Sequence, residues 1–458
     1  MTKRPRLLIA GTSSGVGKTT VMLALTKALA NRGVQTRSFK CGPDYLDPTY
    51  HARASGQPCH NLDGWLMGRQ AVTDGVLRQG TEDGISLIEG VMGLFDGADP
   101  TTNVGSAAEI ADWLDCPVIL VVDASGMARS VKALVQGFRD FDPRVKVKGV
   151  IANRLGSLRH KELIQKALGD IPLVGGLPKK ADLAFPERYL GLKSAQNIHE
   201  FDALFQAWGE LAEEWFDLDG LMSLAKETGG LECSETKSTE QWPCRIGIAK
   251  DEAFSFYYDD NIKLLTQSGA ELIPFSPLHD SRIPEVDGLY LGGGYPETKA
   301  AQLSGNQSMM DSIREFAGRG GPIYGECGGM MYLTQGIRAL DGSFYPMVGL
   351  LSGIAVMAEK LKALGYVEVE TRQATPLGRP GVRFRGHQFR YSELEGIEER
   401  ASGAYGIHRR RDRKTFAEGY HRGDNVLGSY VHAHWASNPD IPLGFAKYCH
   451  FHRQGKGV

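Results

Sequence analysis

The sequence predicts an α/β protein of two domains, the first of which is built on a doubly wound, mainly parallel sheet. Short apolar runs alternate with amphipathic stretches in both halves of the chain, and a polar stretch separates the halves. The length of 458 residues also exceeds that of most single domains. Because strands that alternate with helices form parallel sheets, we expect an α/β domain over residues 1–225, a linker over 226–243 and a second α/β domain over 244–458.

The elements follow one another regularly in the first half. A helix is predicted over 18–31, directly after the first strand, and a shorter one over 106–114. Buried strands are predicted at 6–10, 34–40, 85–90, 117–124, 145–154 and 171–178. After the linker the alternation resumes, with strands predicted at 245–251, 271–277, 287–294 and 321–329.

Composition excludes several broad classes of protein. Apolar residues make up 42% of the chain and charged residues 23%, as in ordinary globular domains, and a net charge of −2 provides no basic field for nucleic acid. The sequence contains no run of about 18 apolar residues, so it predicts no membrane span. The apolar run at the start leads directly into a glycine loop, which is typical of a buried strand rather than of a signal peptide. Seven scattered cysteines indicate reduced thiols, so we expect a cytoplasmic protein.

A glycine-rich loop follows the first predicted strand. In GTSSGVGKTT, residues 11–20, Thr12 occupies the slot where phosphate-binding loops usually have their first glycine. Gly15 and Gly17 allow amides to turn around an anion, Lys18 reaches terminal phosphates, and the Thr19 hydroxyl suits Mg²⁺. A plain glycine turn is the alternative, but it does not account for Gly-Lys-Thr-Thr at the start of a helix. The residues assigned to ATP are Thr12, Gly15, Gly17, Lys18, Thr19, Thr20 and Asn153, with a strand-end turn as the alternative for Asn153.

Four acidic residues fall near the ends of predicted strands. Asp44 and Asp47 lie three residues apart in KCGPDYLDPTYH, Glu89 ends a strand, and Asp96 follows it. Ligands bind at this edge of a doubly wound sheet, although a turn stabilised by aspartate side chains is the alternative for the first two. The predicted metal ligands are Thr19, Asp47 and Glu89, and the residues predicted to act in substrate activation are Asp44, Tyr45 and Asp96.

A cysteine in the second half of the chain is flanked by glycines. YGECGG places Cys327 after a predicted strand and before a predicted helix, where a sharp turn exposes a nucleophile and favours the thiolate. The amides of Gly293 and Gly294 in LGGGYPE are predicted to form an oxyanion hole, and SYVHAHW supplies His432 and His434 as candidate bases. A buried core cysteine is the alternative, and the flanking glycines argue against it.

The motifs of the first half together resemble the cobyrinic acid a,c-diamide synthase family, which is related to dethiobiotin synthetase. The resemblance rests on GTSSGVGKTT, KCGPDYLDPTYH, NLDGW and IEGVMGLFDG, and it extends over essentially the whole chain. It implies ATP- and glutamine-dependent amidation of the a and c acetate carboxylates of cobyrinic acid in cobalamin biosynthesis, through an acyl phosphate. Mg²⁺ and ATP are the implied cofactors, and a corrin polycarboxylate and glutamine are the implied partners.

The second half resembles a class I glutamine amidotransferase domain, which implies a flavodoxin-like fold. That family usually carries His-x-Glu, whereas this chain has His432-Ala433-His434. The resemblance therefore supports His432 as the base and leaves the third member of a triad in question. His434 either assists His432 or has no catalytic role.

Several alternatives stay open. The same chemistry on hydrogenobyrinic acid or nickel sirohydrochlorin fits equally well, cobyric acid synthase fits less well, and a partition-type regulatory ATPase would not need Cys327. His387, Arg390 and Tyr391 either contact ring carboxylates or belong to a solvated strand, and the basic run 408–414 is typical of a solvated face. The oligomeric state, a homodimer included, is not determined by the sequence.

Overall fold

The computed structural model describes residues 2–180, 199–234 and 240–455. The chain divides into two compact units, Met1–Thr236 and Lys237–Val458. Part of the predicted linker pairs within the first unit, where Leu231 forms a bridge with Thr2, and residues 235–239 lie outside the described residues. The predicted domain limits themselves stay predictions. No helix of the described ranges is both long and apolar enough to cross a bilayer.

The first unit contains a parallel sheet. Among its described residues the strand order is β3-β2-β4-β1-β5-β6-β7, and every neighbouring pair is parallel. The strands are β1 (Arg6–Gly11), β2 (Thr36–Cys41), β3 (Cys59–Leu62), β4 (Ile85–Glu89), β5 (Val118–Asp123), β6 (Val147–Leu155) and β7 (Leu173–Pro178). The helices are α1 (Lys18–Asn31), α2 (Asp47–Ser55), α3 (Gly64–Gln79), α4 (Ala107–Trp113), α5 (Ser130–Phe141), α6 (Leu158–Leu168), α7 (His199–Trp215) and α8 (Leu218–Ala225).

The order of the strands creates the ligand-binding edge. Strand β1 lies in the middle of the sheet and all six of its residues are buried, the apolar residues 7–10 as expected and Arg6 with them. The connection after β1 leads to β2 on one side of it, and the connection after β4 leads to β5 on the other side, so the carboxyl ends of β1 and β4 form a topological switch point. The glycine loop leaves the sheet at that point, and the predicted doubly wound sheet is confirmed.

The second unit contains a larger, mixed sheet. Within the described residues its order is β10-β8-β11-β13-β22-β21-β20-β17-β18-β23, and two small sheets are β12-β9 and β15-β14-β16-β19. The strands are β8 (Cys244–Ala249), β9 (Phe254–Phe256), β10 (Ala270–Phe275), β11 (Gly288–Leu291), β12 (Gly293–Gly294), β13 (Ile323–Glu326), β14 (Gly336–Arg338), β15 (Phe344–Pro346), β16 (Ile354–Met357), β17 (Ala363–Thr371), β18 (Arg383–Arg390), β19 (Ser392–Glu395), β20 (Ser402–Arg409), β21 (Thr415–Arg422), β22 (Val426–Ser429) and β23 (His432–His434). The helices are α9 (Asp259–Gln267), α10 (Ala300–Gly305), α11 (Gln307–Gly318), α12 (Gly328–Leu333) and α13 (Asp440–Arg453).

The sequence-based strands of the second half correspond to the parallel part of this sheet. Strands β10, β8, β11, β13 and β22 are parallel neighbours, and the pairs from β22 to β23 are antiparallel. The strand predicted over 287–294 divides into β11 and β12, because the chain leaves the main sheet after Leu291 and pairs with β9. The α/β class is confirmed for both units, with an antiparallel extension that the apolar alternation did not indicate.

Candidate functional site

The glycine loop between β1 and α1 is held open by its own backbone conformation. Gly15 and Gly17 have φ values of 79° and 92°, which side chains disfavour, and α1 begins immediately after them at Lys18. The Thr12 amide donates to the Val121 carbonyl at 3.1 Å, and Thr20 lies in the first turn of α1. Amides that surround a helix N-terminus in this way form a site for a phosphate group.

Two residues of β6 support the loop from behind. The Asn153 side-chain amide donates to the Val16 carbonyl at 2.8 Å, and Arg154 donates to the Gly15 carbonyl at 2.8 Å. A Cβ atom at Gly17 would lie 2.1 Å from Asn153 Nδ2, so a larger residue there would displace the Asn153 side chain. Asn153 therefore orders the loop, and its contact with a nucleotide base stays a prediction. Sequence reasoning missed Arg154, although it is adjacent to Asn153.

The Lys18 side chain bends back onto the loop. Its ammonium donates to the Ser13 carbonyl at 3.1 Å and also to the Met92 carbonyl. Burial, followed by the nearby charge of Lys40, lowers the pKa of Lys18. A bound polyphosphate would compensate both effects, because it supplies further negative charge to the buried amine, whose pKa Glu89, Asp47 and Asp96 already raise.

The three predicted metal ligands lie together beside the loop. The Thr19 hydroxyl donates to Glu89 Oε1 at 2.8 Å and lies 3.5 Å from Asp47 Oδ2. The Lys40 ammonium lies between the two carboxylates, 2.8 Å from Asp47 Oδ2 and 2.8 Å from Glu89 Oε1. His51 Nε2 pairs with the other Glu89 oxygen at 2.5 Å. All of these side chains except Thr19 are buried.

Electrostatics keep this cluster charged despite its burial. Burial favours the neutral amine, but Asp47 and Glu89 raise the pKa of Lys40 above its usual value. Burial also favours a neutral Glu89, and Lys40 and His51 lower its pKa well below the usual range. Sequence reasoning missed Lys40 and His51. Both flank the acidic motif, and Lys40 lies in a strand beside Glu89, which was the available signal.

The cluster suits a magnesium ion by its donor atoms. A hydroxyl and two carboxylates are hard oxygen ligands, and Mg²⁺ typically takes one or two carboxylates together with phosphate oxygens and water. No group of three or more His, Cys, Asp or Glu with metal-binding geometry occurs in the part of the chain that is described. The ammonium of Lys40 already contacts one oxygen of each of the two carboxylates in this set.

The residues predicted to activate the substrate have structural contacts. Asp44 Oδ1 accepts hydrogen bonds from the amides of Leu46 and Asp47 at 2.8 and 3.1 Å, just before α2. Burial, and then the charge of Asp47, raises the pKa of Asp44. Asp96 accepts from the Gly93 amide at 3.0 Å, and Tyr45 lies beside Asp44 in the same turn. Their part in substrate activation stays a prediction, and the aspartate turn that we considered for Asp44 is present.

Cys327 occupies the sharp turn expected of a nucleophile. It follows β13, precedes α12 and has a φ value of 47°, which is rare for a residue with a side chain. Its amide donates to the Ser429 carbonyl at 2.7 Å, which fixes the turn against β22. Burial, and then the charge of Glu297, raises the pKa of the thiol to about 12, although the Gly328 amide and Arg390 act in the opposite direction. The resting sulfur is therefore a neutral thiol, not the thiolate that the turn alone predicts.

His432 and the two glycines predicted to form the oxyanion hole lie around the same turn. A Cβ atom at Gly293 would lie 2.5 Å from His432 Cε1, and one at Gly328 would lie 3.0 Å from the Gly294 nitrogen. Burial lowers the pKa of His432 to about 4, so the imidazole is neutral and able to accept a proton. Gly294 has a φ value of 157°, which lies at the edge of the region that favours glycine.

The stretch around His387 is buried, which corrects one of our alternatives. His387 and Gln388 lie in β18 between β17 and β23 and are buried, so a solvated strand is wrong for the middle of this stretch. The His387 ring stacks on His432 with centroids 5.0 Å apart, and its Nδ1 is 3.0 Å from the Tyr258 hydroxyl. The guanidinium of Arg390 lies 4.5 Å from the centre of the Tyr430 ring. Residues 408–414 comprise the end of β20 and the turn that leads to β21, and most of them are exposed, as their charge predicts.

Comparison with known proteins gives a family match for each of the two units. Residues 7–190 match the model of a CobQ/CobB/MinD/ParA nucleotide binding domain, and residues 245–440 match a CobB/CobQ-like glutamine amidotransferase domain. A cobyrinate a,c-diamide synthase of Leptospira interrogans is 48% identical over 98% of this chain and 99% of its own length. Those of Syntrophotalea carbinolica and Dehalococcoides mccartyi are 46% and 42% identical, each over 97% of this chain and 98% of their own length.

The chain belongs to the cobyrinate a,c-diamide synthase family.

Membership in the cobyrinate a,c-diamide synthase family assigns a class to each unit. The first unit is a nucleotide-binding domain and the second a glutamine amidotransferase domain. The model that matches the first unit also covers MinD and ParA proteins, so this unit alone does not separate a synthase from a regulatory ATPase. The second domain and the nearly full-length match to named synthases make that distinction.

Proposed function

We propose that this protein uses ATP and glutamine to convert the a and c acetate carboxylates of cobyrinate into amides. One observation carries the proposal: a phosphate-binding loop and a cysteine turn occur in one chain that matches cobyrinate a,c-diamide synthases over nearly its whole length. Nitrogen transfer from glutamine needs the second feature, and activation of a carboxylate needs the first.

The second unit releases ammonia from glutamine. The Cys327 sulfur attacks the side-chain amide carbon while its proton passes to His432, and the oxyanion is held by amides at Gly293 and Gly294. Ammonia leaves with the proton from His432, and a thioester remains. Water then hydrolyses the thioester to glutamate and restores the thiol. The neutral imidazole supports this sequence, since a base must be unprotonated when the reaction begins.

The first unit activates the acid. A substrate carboxylate oxygen attacks the γ-phosphorus of ATP, ADP leaves, and an acyl phosphate forms. Ammonia then attacks the acyl carbon, phosphate leaves, and an amide results. Lys18 and the loop amides would hold the phosphates in place, and the burial of Lys18 strengthens its contact with the developing charge.

Magnesium is part of the proposal. The Thr19 hydroxyl and the carboxylates of Asp47 and Glu89 are the residues that would hold it, and when bound it neutralises charge on the phosphates. The Lys40 ammonium contacts both of these carboxylates and would also be attracted by charge to the polyphosphate.

The cellular location is inferred from the substrate and the cysteines. ATP as a substrate and seven free cysteines favour the cytoplasm. A homodimer stays a prediction, which sedimentation would test.

A mass measurement tests the proposal. The protein would be incubated with Mg²⁺-ATP, glutamine and one of three acids: cobyrinate, hydrogenobyrinate or nickel sirohydrochlorin. We expect cobyrinate to change mass in two steps, each equal to replacement of OH by NH₂, with one ADP formed per step. Preference for either of the other rings would overturn the choice of substrate. ATP hydrolysis without amidation of any ring would favour a regulatory ATPase.

A further inference from the structure

A histidine base normally has a partner that fixes its orientation. In His-based catalytic groups, an acceptor on Nδ1–H leaves Nε2 unprotonated and facing the nucleophile. This chain has His434 where the amidotransferase signature carries a glutamate. The partner of His432 must therefore be sought elsewhere in the second unit.

His434 does not supply that partner. It is fully buried in β23, and neither of its ring nitrogens has a hydrogen-bond partner among the described residues. Its ring packs against Tyr258 with centroids 4.6 Å apart. Burial lowers the pKa of His434 to about 4, so it carries no charge that would stabilise an imidazolium at His432.

Glu326, the residue immediately before the nucleophile, lies beside His432. The exposed fraction of the Glu326 side chain is 1% and that of His432 is 3%, and Glu326 Oε2 is 4.0 Å from His432 Nδ1. The other carboxylate oxygen accepts hydrogen bonds from the Tyr324 hydroxyl at 2.8 Å and from the Ala433 amide at 3.3 Å. Because Ala433 is the neighbour of His432 in β23, the carboxylate is attached to the strand that carries the base.

We propose that Glu326 is the third member of the catalytic group, a positioning residue that accepts a hydrogen bond from His432 Nδ1–H. This role rests on the proposed glutamine hydrolysis at Cys327. When the thiol proton moves to His432 Nε2, the imidazolium carries protons on both nitrogens, and the Glu326 carboxylate stabilises the new charge. The remaining separation of 4.0 Å closes by a small rotation of the ring towards the carboxylate.

The buried surroundings explain why the two groups act as a pair. Burial raises the pKa of Glu326 to about 8 and lowers that of His432 to about 4, so a single charge on either is unfavourable. A carboxylate next to an imidazolium compensates both costs. The titratable groups around Glu326 are His432, Cys327, Tyr257, Tyr290, Tyr324 and Tyr405.

A pH dependence follows from the sign of the Glu326 shift. The carboxylate form increases as the pH rises through about 8, so glutamine hydrolysis by the wild type should rise over the same range. The Tyr324 hydroxyl stabilises the carboxylate and lowers its pKa. Removal of that hydroxyl should therefore move the rise to higher pH.

The test uses the full chain with Glu326→Gln, which preserves size and removes the negative charge. We expect kcat for glutamine hydrolysis to fall by roughly 10²–10⁴-fold, with KM nearly unchanged and the rise near the Glu326 pKa lost. ATP-dependent amidation with free ammonia should be retained, because it does not use Cys327. His434→Gln is the matched control, and it should retain kcat within severalfold.

Three results would overturn the inference: an unchanged kcat for Glu326→Gln, a retained pH dependence, or a loss at His434→Gln equal to that at Glu326→Gln. If Glu326→Gln does not fold, Tyr324→Phe decides, since an unshifted pH profile in that variant contradicts the role of Glu326. Glutamine hydrolysis without amidation of any tetrapyrrole would overturn the proposed function and leave this inference standing. A wild-type protein that hydrolyses no glutamine would overturn both.

Discussion

The nucleotide site and the glutamine site hold their ionisable groups in different states. Beside the loop, the Lys40 ammonium is buried between the Asp47 and Glu89 carboxylates. At the cysteine turn, burial raises the pKa of Cys327 to about 12 and lowers that of His432 to about 4, so both are neutral at pH 7. Both sites are buried, and the difference lies in whether opposite charges are already adjacent.

This comparison shows how burial prepares two kinds of chemistry. The first site must bind a highly charged ligand, and its charges already exist in compensated form. The second must create charge during the reaction, and its groups stay neutral until a proton moves from sulfur to nitrogen. Low dielectric surroundings strengthen the interactions at both sites, since the attraction between charges falls as the dielectric constant rises.

The largest expected effect is on amidation activity, and it distinguishes the two sites because only one of them is needed when ammonia replaces glutamine. Cys327→Ala should reduce glutamine-dependent amidation by at least about 10³-fold and leave ammonia-dependent amidation intact, because only the first reaction needs the nucleophile. Lys18→Ala should reduce both to a similar degree. Product mass with glutamine or ammonium salt as the donor is the measurement. Equal loss of both activities in Cys327→Ala would contradict the separation.

The next effect tests the compensated charges of the first site. Lys40→Met should lower the free energy of unfolding by about 3–5 kcal/mol, because two buried carboxylates lose their counter-ion. Since the pKa of Glu89 is lowered in the folded protein, its contribution is present above the usual carboxyl range and is lost as the pH falls below it. Urea unfolding at neutral and acidic pH measures both the loss of stability in Lys40→Met and its dependence on pH.

Two controls accompany that measurement. Lys40→Arg keeps the charge and should lose less stability than Lys40→Met. Mg²⁺ should restore part of the stability of Lys40→Met, because the metal would replace the missing positive charge. No stabilisation by Mg²⁺ in that variant would contradict the assignment of Thr19, Asp47 and Glu89 as its ligands.

A smaller effect concerns the shape of the loop. Gly15→Ala and Gly17→Ala should each lose about 1–2 kcal/mol through their positive φ values. Gly17→Ala should lose about 1–3 kcal/mol more, because its Cβ would meet Asn153, whereas the Cβ at Gly15 meets nothing within 4 Å. Thermal unfolding of the two variants, Gly15→Ala and Gly17→Ala, measures the difference between their losses of stability. Equal losses would show that Asn153 moves away freely.

The smallest effect tests the neutral state of the second site. In a Cys233→Ser background, which removes the exposed thiol, the rate of alkylation of Cys327 by iodoacetamide should rise by about tenfold per pH unit from about pH 6 to 9. The thiolate fraction increases throughout this range because the pKa of Cys327 is raised. A plateau near neutral pH would indicate a preformed thiolate instead.

Sequence patterns predicted the parts of the fold that repeat. The six strands predicted for the first unit are all present in the structure. Helix α1 begins and ends at the predicted residues, Lys18 and Asn31. The short strand β3 and most of the antiparallel strands of the second unit were missed. Their side chains alternate between polar and apolar or are charged, as in β18, so no continuous apolar run marks them.

Side-chain neighbours were harder to predict than motifs. The sequence located Cys327, His432 and the loop because glycines and spacing mark backbone turns. It did not indicate that Lys40 lies beside Glu89, because this contact depends on the register of β2 and β4. Nor did it indicate that Glu326 lies beside His432, because these residues are far apart in the chain and lie on strands that are not neighbours in the sheet. Arg154 likewise escaped notice, since its contact with Gly15 joins residues far apart in the chain.

The backbone of Cys327 has a consequence for how this protein tolerates change. A φ value of 47° costs a residue with a side chain about 1–3 kcal/mol, and glycine avoids that cost. Cys327→Gly should therefore melt at a higher temperature than Cys327→Ala, although both lack sulfur. At this residue, durability and reactivity are competing demands, so selection for heat resistance alone would favour loss of the nucleophile.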